Sequence, residues 1–403
     1  MTTGTSETIP VRRILARMTN ISRGGGGRPR HHRMLNSPLL LCAALMLGLA
    51  GCGAATSSAP KDSASTDVNH RGSTWEKIVP AGDCHCADGS QFAFWERRAD
   101  PTKVVLFLNG GGVCWDAIMC ALADANGENG ENDNYDYNLN SLQRDGPDTG
   151  IGMFDFNRTD SPFATYSFVY VSSCTGDALL GNVSRKYSPK LTIEHRGYVD
   201  GTAALSYITE HYPNATQVVV IGKTAGSVAA PTYGGLVADR LPKARVIVFG
   251  AQSGAWPDNP DFNTNILDAR WAAYHTMPTW AVNGLTASDW GPRQLWIQAG
   301  RHNPNLVLAR FDFAYDPHAA REVTSWMASN PPDLLAEIDR NEAAIEAAGV
   351  PLHSYTAPGD DHGIFEFDKF YEISVNGIRL VDWLKELVTS EPPDDVHCDK
   401  CAP

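Results

Sequence analysis

Three side chains in this sequence have the types and the order that acyl transfer needs. Thr224 carries a hydroxyl, Asp316 a carboxylate and His362 an imidazole, and they follow one another along the chain in that order. A hydroxyl is a poor nucleophile near neutral pH, so a neutral imidazole has to take its proton. A carboxylate then holds the other ring N–H and stabilises the imidazolium that forms. The negative oxygen of the tetrahedral intermediate needs preorganised N–H donors. The run Gly110-Gly111-Gly112 offers such donors, and we place them at Gly111 and Gly112, with the amide of Ala225 as the third. Taken singly, each piece has an ordinary structural explanation. A histidine after a strand is often a surface or capping residue, a glycine triplet is often a turn, and Asp316 before Pro317 could simply start one. Asp312 competes with Asp316 for the acid role. Ser227 is a second hydroxyl near Thr224, but it is out of register with the flanking glycines and reads as packing or capping the next helix.

These groups must be held at strand ends. The stretch Val218-Val-Val-Ile-Gly222-Lys-Thr224-Ala-Gly226-Ser227 predicts how. Four β-branched apolar residues favour a strand covered on both faces. A sharp turn centred on Thr224 follows, then a helix from about Val228, and the small residues on either side let strand and helix pack closely. Further strands are predicted over 92–95, 103–108, 166–171, 244–249, 294–298 and 352–357. Helices are predicted over 201–211, 231–241, 333–348 and 376–388. Strands alternating with helices imply an α/β fold with a mostly parallel sheet. The polar stretch 124–149 reads as a long surface excursion. No internal repeat is visible, so one domain with loop insertions is expected.

The chain has 403 residues, 43% hydrophobic and 20% charged, which suits one large globular domain. Its start differs. Seven arginines precede an apolar run over 39–50, too short to span a bilayer as a stable helix. The run ends in Leu49-Ala50-Gly51-Cys52, which resembles a bacterial lipobox in which Cys52 is lipidated; an ordinary secretory signal with a chance cysteine is the rival reading. We therefore divide the chain into a signal (1–51), a Ser/Ala-rich tether (52–74), the folded domain (75–390) and a cysteine-containing tail (391–403). Removing residues 1–51 takes the formal net charge from −13 to about −19, which argues against nucleic acid as a partner and leaves the membrane, through the lipid, as the expected one. Of nine cysteines, seven lie beyond Cys52, and an exported chain with several cysteines should contain disulfides. Cys114 and Cys120 flank one loop and are the simplest pair. Cys84 and Cys86 could pair with Cys398 and Cys401 and tie the termini together, with a zinc site on the same four residues as the rival. Seven is odd, which would leave one thiol over.

The motifs together resemble the pectinacetylesterase/Notum family of α/β-hydrolases. The family's oxyanion loop is similar to Leu108-Asn109-Gly-Gly-Gly112-Val-Cys114-Trp115 with its second cysteine at Cys120. Its turn after the next strand is similar to Ser173-Cys174-Thr-Gly-Asp177, and its early Cys-x-Asp-Gly-Ser to Cys86-Ala-Asp-Gly-Ser90. Its acid motif, an aromatic residue followed by Asp, matches Tyr315-Asp316 and favours Asp316 over Asp312; its histidine matches His362. The resemblance runs from about Cys86 to Val388. It implies ester hydrolysis on an acyl-ester substrate, with acetylated polysaccharide suggested by the family name, and no metal or organic cofactor. Two departures stand out. Asn109 replaces an acidic residue, and Thr224 replaces the nucleophilic serine, adding a methyl on Cβ that restricts χ1. Lys223 puts a cation beside the nucleophile unless its side chain points to solvent. An intact His362, Asp316 and glycine loop favour an enzyme; Thr224 favours a family member that has lost catalysis and serves as a cell-surface binding protein.

Overall fold

The computed structural model describes residues 75–121, 147, 150–256, 258–320 and 333–402. Cys52, the tether and most of the excursion over 124–149 lie outside the described residues. Nine strands make the main sheet: β1 (Glu76–Ile78), β2 (Phe94–Arg97), β3 (Asp100–Leu108), β4 (Tyr166–Val171), β5 (Gln217–Lys223), β6 (Arg245–Ala251), β7 (Val307–Phe313), β8 (His353–Ala357) and β9 (Val396–His397). Their order across the sheet is β1-β2-β4-β3-β5-β6-β7-β8-β9. The β1–β2 and β2–β4 pairings are antiparallel and all the others are parallel. This is the expected α/β architecture, with the mostly parallel sheet at its centre.

The central strands are apolar on both faces because helices cover both. In β5, Val218 and Val220 enter one core while Val219 and Ile221 enter the other. The first core lies under α1 (Gly197–His211), α2 (Ala225–Arg240), α3 (Pro292–His302) and α4 (Leu334–Ala347). The second lies under α5 (Leu380–Thr389), whose Leu380, Val381, Leu384, Leu387 and Val388 form its buried face. Fully burying one such side chain is worth about 1.5–3 kcal/mol, so the two cores fix the register of β5 and with it the place where Thr224 leaves the sheet.

Two expectations need correction. Residues 294–298 belong to α3 and not to a strand. Pro292 occupies the first turn of that helix, where a missing N–H has no consequence, and Leu295, Trp296 and Ala299 fall on one helical face. The strand of that unit is β7, whose Arg310 and Asp312 disguise it in the sequence although both are buried. The tail over 391–403 also contributes to the fold: its Val396–His397 pairs in parallel with β8 as the edge strand β9.

The cysteine pairing is corrected in the same way. Cys114 bonds Cys120 as expected, but Cys86 bonds Cys174 and Cys398 bonds Cys401, so no disulfide joins Cys86 to the tail. Cys84 is disulfide-bonded as well and so is not a spare thiol. Several disulfides indicate a chain that folds outside the cytoplasm. The Cys86–Cys174 bridge spans 88 residues and the Cys114–Cys120 bridge 6. Chain entropy gives about 4.5 kcal/mol for a loop of the first length and about 2 kcal/mol for the second. In urea unfolding we expect C86S/C174S to lose about 2–4 kcal/mol and C114S/C120S clearly less. Equal losses would mean that the bridges act through local packing and not through loop closure.

Candidate active site

The nucleophile position is built by the turn between β5 and α2. Thr224 has φ 45° and ψ −112°, a left-handed conformation that is strained for any residue with a Cβ and most of all for a β-branched one. Of the order of 1–3 kcal/mol is stored there, and surrounding contacts have to hold it. The Thr224 N–H donates to Ala251 O at 2.8 Å and Thr224 O accepts from Ser227 N–H at 3.0 Å. The flanking glycines are required by close approach: a Cβ on Gly226 would run into the Leu108 carbonyl, and one on Gly222 into Ser227 Cα. Ser227 is fully buried and its Oγ lies 2.6 Å from Ser253 Oγ, so it packs beneath the turn.

The acid and the base come from neighbouring turns. The β7–β8 pairing continues past the strands: Ala314 N–H donates to Ala357 O at 2.9 Å and Tyr315 N–H to Gly359 O at 3.0 Å. That ladder sets Asp316 beside His362, whose Nδ1 lies 2.7 Å from Asp316 Oδ2. The other carboxylate oxygen accepts the N–H groups of His318 and Ala319 at 2.9 and 3.2 Å. A carboxylate only accepts, so His362 Nδ1 carries the proton and Nε2 is left as the basic nitrogen. The ring of His318 packs on that of His362 with centroids 4.6 Å apart. Asp312 has a different environment. It accepts from Gly254 N–H at 2.8 Å, its nearest cation is Arg310 at 4.0 Å, and burial pushes its pKa up to about 6. The partner of His362 is therefore Asp316.

The glycine loop lies directly over Thr224. A Cβ on Gly110 would collide with Thr224 Oγ1 and with the Lys223 carbonyl, so only glycine fits there. Gly112 takes φ 75°, and the loop is fixed at its ends by Asn109 N–H to Val171 O and Cys114 N–H to Gly176 O, both 2.9 Å. Ser173-Cys174-Thr175-Gly176-Asp177 backs it: the Ser173 carbonyl blocks any side chain at Gly111, and buried Asp177 accepts from Thr175 Oγ1 and from Leu179 and Gly197 N–H. Gly111, Gly112 and Ala225 thus belong to segments that adjoin the nucleophile. Among the described residues no hydrogen bond joins the Thr224 hydroxyl to His362; the hydroxyl lies instead against Gly110.

Two further residues matter here. Lys223 does not point to solvent but pairs with Glu366, Nζ to Oε1 at 2.6 Å. Gln252, the residue after β6, has φ 66°, is buried, and leaves both side-chain amide atoms without a partner. The sequence marked Lys223 as a cation beside the nucleophile, but nothing in it marked Glu366 or Gln252, since a glutamine gives no cue to a left-handed backbone.

The pectinacetylesterase family model matches residues 76–279. That is half of the chain, and it carries the glycine loop, the Ser173–Asp177 turn and the Thr224 turn. The chain belongs to the pectinacetylesterase family. It is thereby a member of a family of carboxylic ester hydrolases, and Asp316 and His362 lie beyond the matched span. Among solved structures it is similar to the Wnt deacylase Notum from Drosophila, with 16% identity over 83% of this chain and 98% of that one and a TM-score of 0.59. A likeness at that identity concerns the fold. Comparison with curated proteins gives no match.

Proposed function

We propose that this pectinacetylesterase-family protein is a secreted, lipid-anchored carboxylic ester hydrolase of the deacetylase type that works through Thr224, His362 and Asp316. The observation that carries this reading is the 2.7 Å His362–Asp316 contact, together with a hydroxyl residue in a left-handed turn at the end of another strand of the same sheet. His362 Nε2 takes the Thr224 proton as Oγ1 attacks the acyl carbon. The N–H groups of Gly111, Gly112 and Ala225 receive the developing oxyanion. The imidazolium, held by Asp316, returns the proton to the leaving alcohol, and water then releases the acid from the threonyl ester by the same steps in reverse. The family supports an acylated substrate, and we take acetylated polysaccharide as the first to test. The direct test is turnover of p-nitrophenyl acetate by the wild type beside His362→Ala.

The anchor is a separate part of the proposal, motivated by Leu49-Ala50-Gly51-Cys52. Mass spectrometry of the mature protein should find an N-terminal Cys52 carrying acyl chains; an unmodified terminus further along the chain would sink the anchor and leave the enzyme reading intact.

One observation favours a second reading. The Thr224 hydroxyl lies against Gly110 with no hydrogen bond to His362 among the described residues, as expected of a family member that has lost catalysis and serves as a cell-surface binding protein.

A further inference from the structure

Thr224 and His362 sit on separate turns, and an ion pair spans them. Lys223 is the last residue of β5 and adjoins the nucleophile; Glu366 follows His362 by four residues. Their contact is 2.6 Å, with side chains 21% and 20% exposed. The Glu366 backbone is pinned by the two residues before it. Ile364 and Phe365 are fully buried, and Phe365 O accepts the N–H of Met153 at 2.7 Å. The second carboxylate oxygen, Oε2, is buried without a partner, so the contact to Lys223 is the hydrogen bond that holds this side chain.

We propose that the Lys223–Glu366 ion pair is a positioning device that sets the approach of His362 to Thr224. It gives the histidine turn a fixed anchor on the segment that carries the nucleophile, and it cancels the charge of a cation placed one residue from the reacting hydroxyl. The catalytic part of this inference rests on the esterase reading; the mechanical part does not. Ion pairs partly open to water add little to stability, so global unfolding is the wrong measure of this one.

The test uses full-length Lys223→Met, Glu366→Gln, Lys223→Arg and the exchanged pair K223E/E366K. In hydrogen–deuterium exchange, the peptide spanning 358–367 should exchange faster in Lys223→Met and Glu366→Gln, with the Tm little changed, and should return toward wild type in Lys223→Arg. In kinetics with p-nitrophenyl acetate, the two neutralised variants should lose about tenfold to a hundredfold in kcat with KM nearly constant, the range expected for misplacing a reacting group by about 1 Å. Lys223→Arg should keep most of the rate, and the exchanged pair should recover part of it. Unchanged exchange in both neutralised variants overturns the proposal whether or not the protein is active. Faster exchange with an unchanged, His362-dependent kcat also overturns it, since the turn would then move without consequence for the chemistry. A wild type whose turnover does not depend on His362 overturns the esterase reading instead.

Discussion

His362→Ala should lower kcat/KM for p-nitrophenyl acetate by about 100- to 1000-fold while circular dichroism and Tm stay at their wild-type values. In a competent serine hydrolase, loss of a triad member costs roughly four to six orders of magnitude. The smaller figure here rests on the proposed reading, in which the threonine at the nucleophile position already limits the rate. His362 is only partly buried and is held by one strong contact to Asp316, so its removal leaves the two cores intact. Asp316→Ala should lose less than His362→Ala, because the carboxylate orients and stabilises the ring but does not move the proton. Activity that survives both substitutions would come from another site, and the enzyme reading would fail.

Thr224→Ser should raise the same activity by about tenfold or more, and Thr224→Ala should abolish what remains. Tenfold corresponds to about 1.4 kcal/mol of barrier, within what relief of a crowded side chain can supply. The structure gives the crowding a direction. Oγ1 lies so close to Gly110 that a Cβ there would collide with it, and the extra methyl restricts χ1 in a backbone at φ 45°. Serine keeps the hydroxyl, loses the methyl and can rotate toward His362 without disturbing the Thr224 N–H bond to Ala251 or the packing of Gly222 and Gly226. Ser227→Ala is the control, since that hydroxyl is engaged with Ser253 beneath the turn. If folded Thr224→Ser shows no turnover above background on acetyl to octanoyl esters, the surface-binding reading becomes the better one.

The sequence by itself determined the sheet and the central turn. Continuous β-branched runs such as Val218-Val-Val-Ile221 can only be buried on both faces, and glycines beside Thr224 serve a turn where backbones nearly touch. Local chemistry also sufficed for Cys114–Cys120, because six residues cannot carry the partners far apart. Local composition failed where burial overrides it. The apolar run over 294–298 looked like a strand and is the middle of a helix, while β7 hid behind Arg310 and Asp312, charged residues that only the fold makes internal. The choice between Asp312 and Asp316 was open on residue type alone and was decided by distance, since both are buried carboxylates and one of them reaches His362. The Cys86–Cys174 bridge and the Lys223–Glu366 pair join residues 88 and 143 positions apart. Such contacts have no periodicity or spacing to reveal them, because they exist only once parallel strands have brought distant turns to the same edge of the sheet.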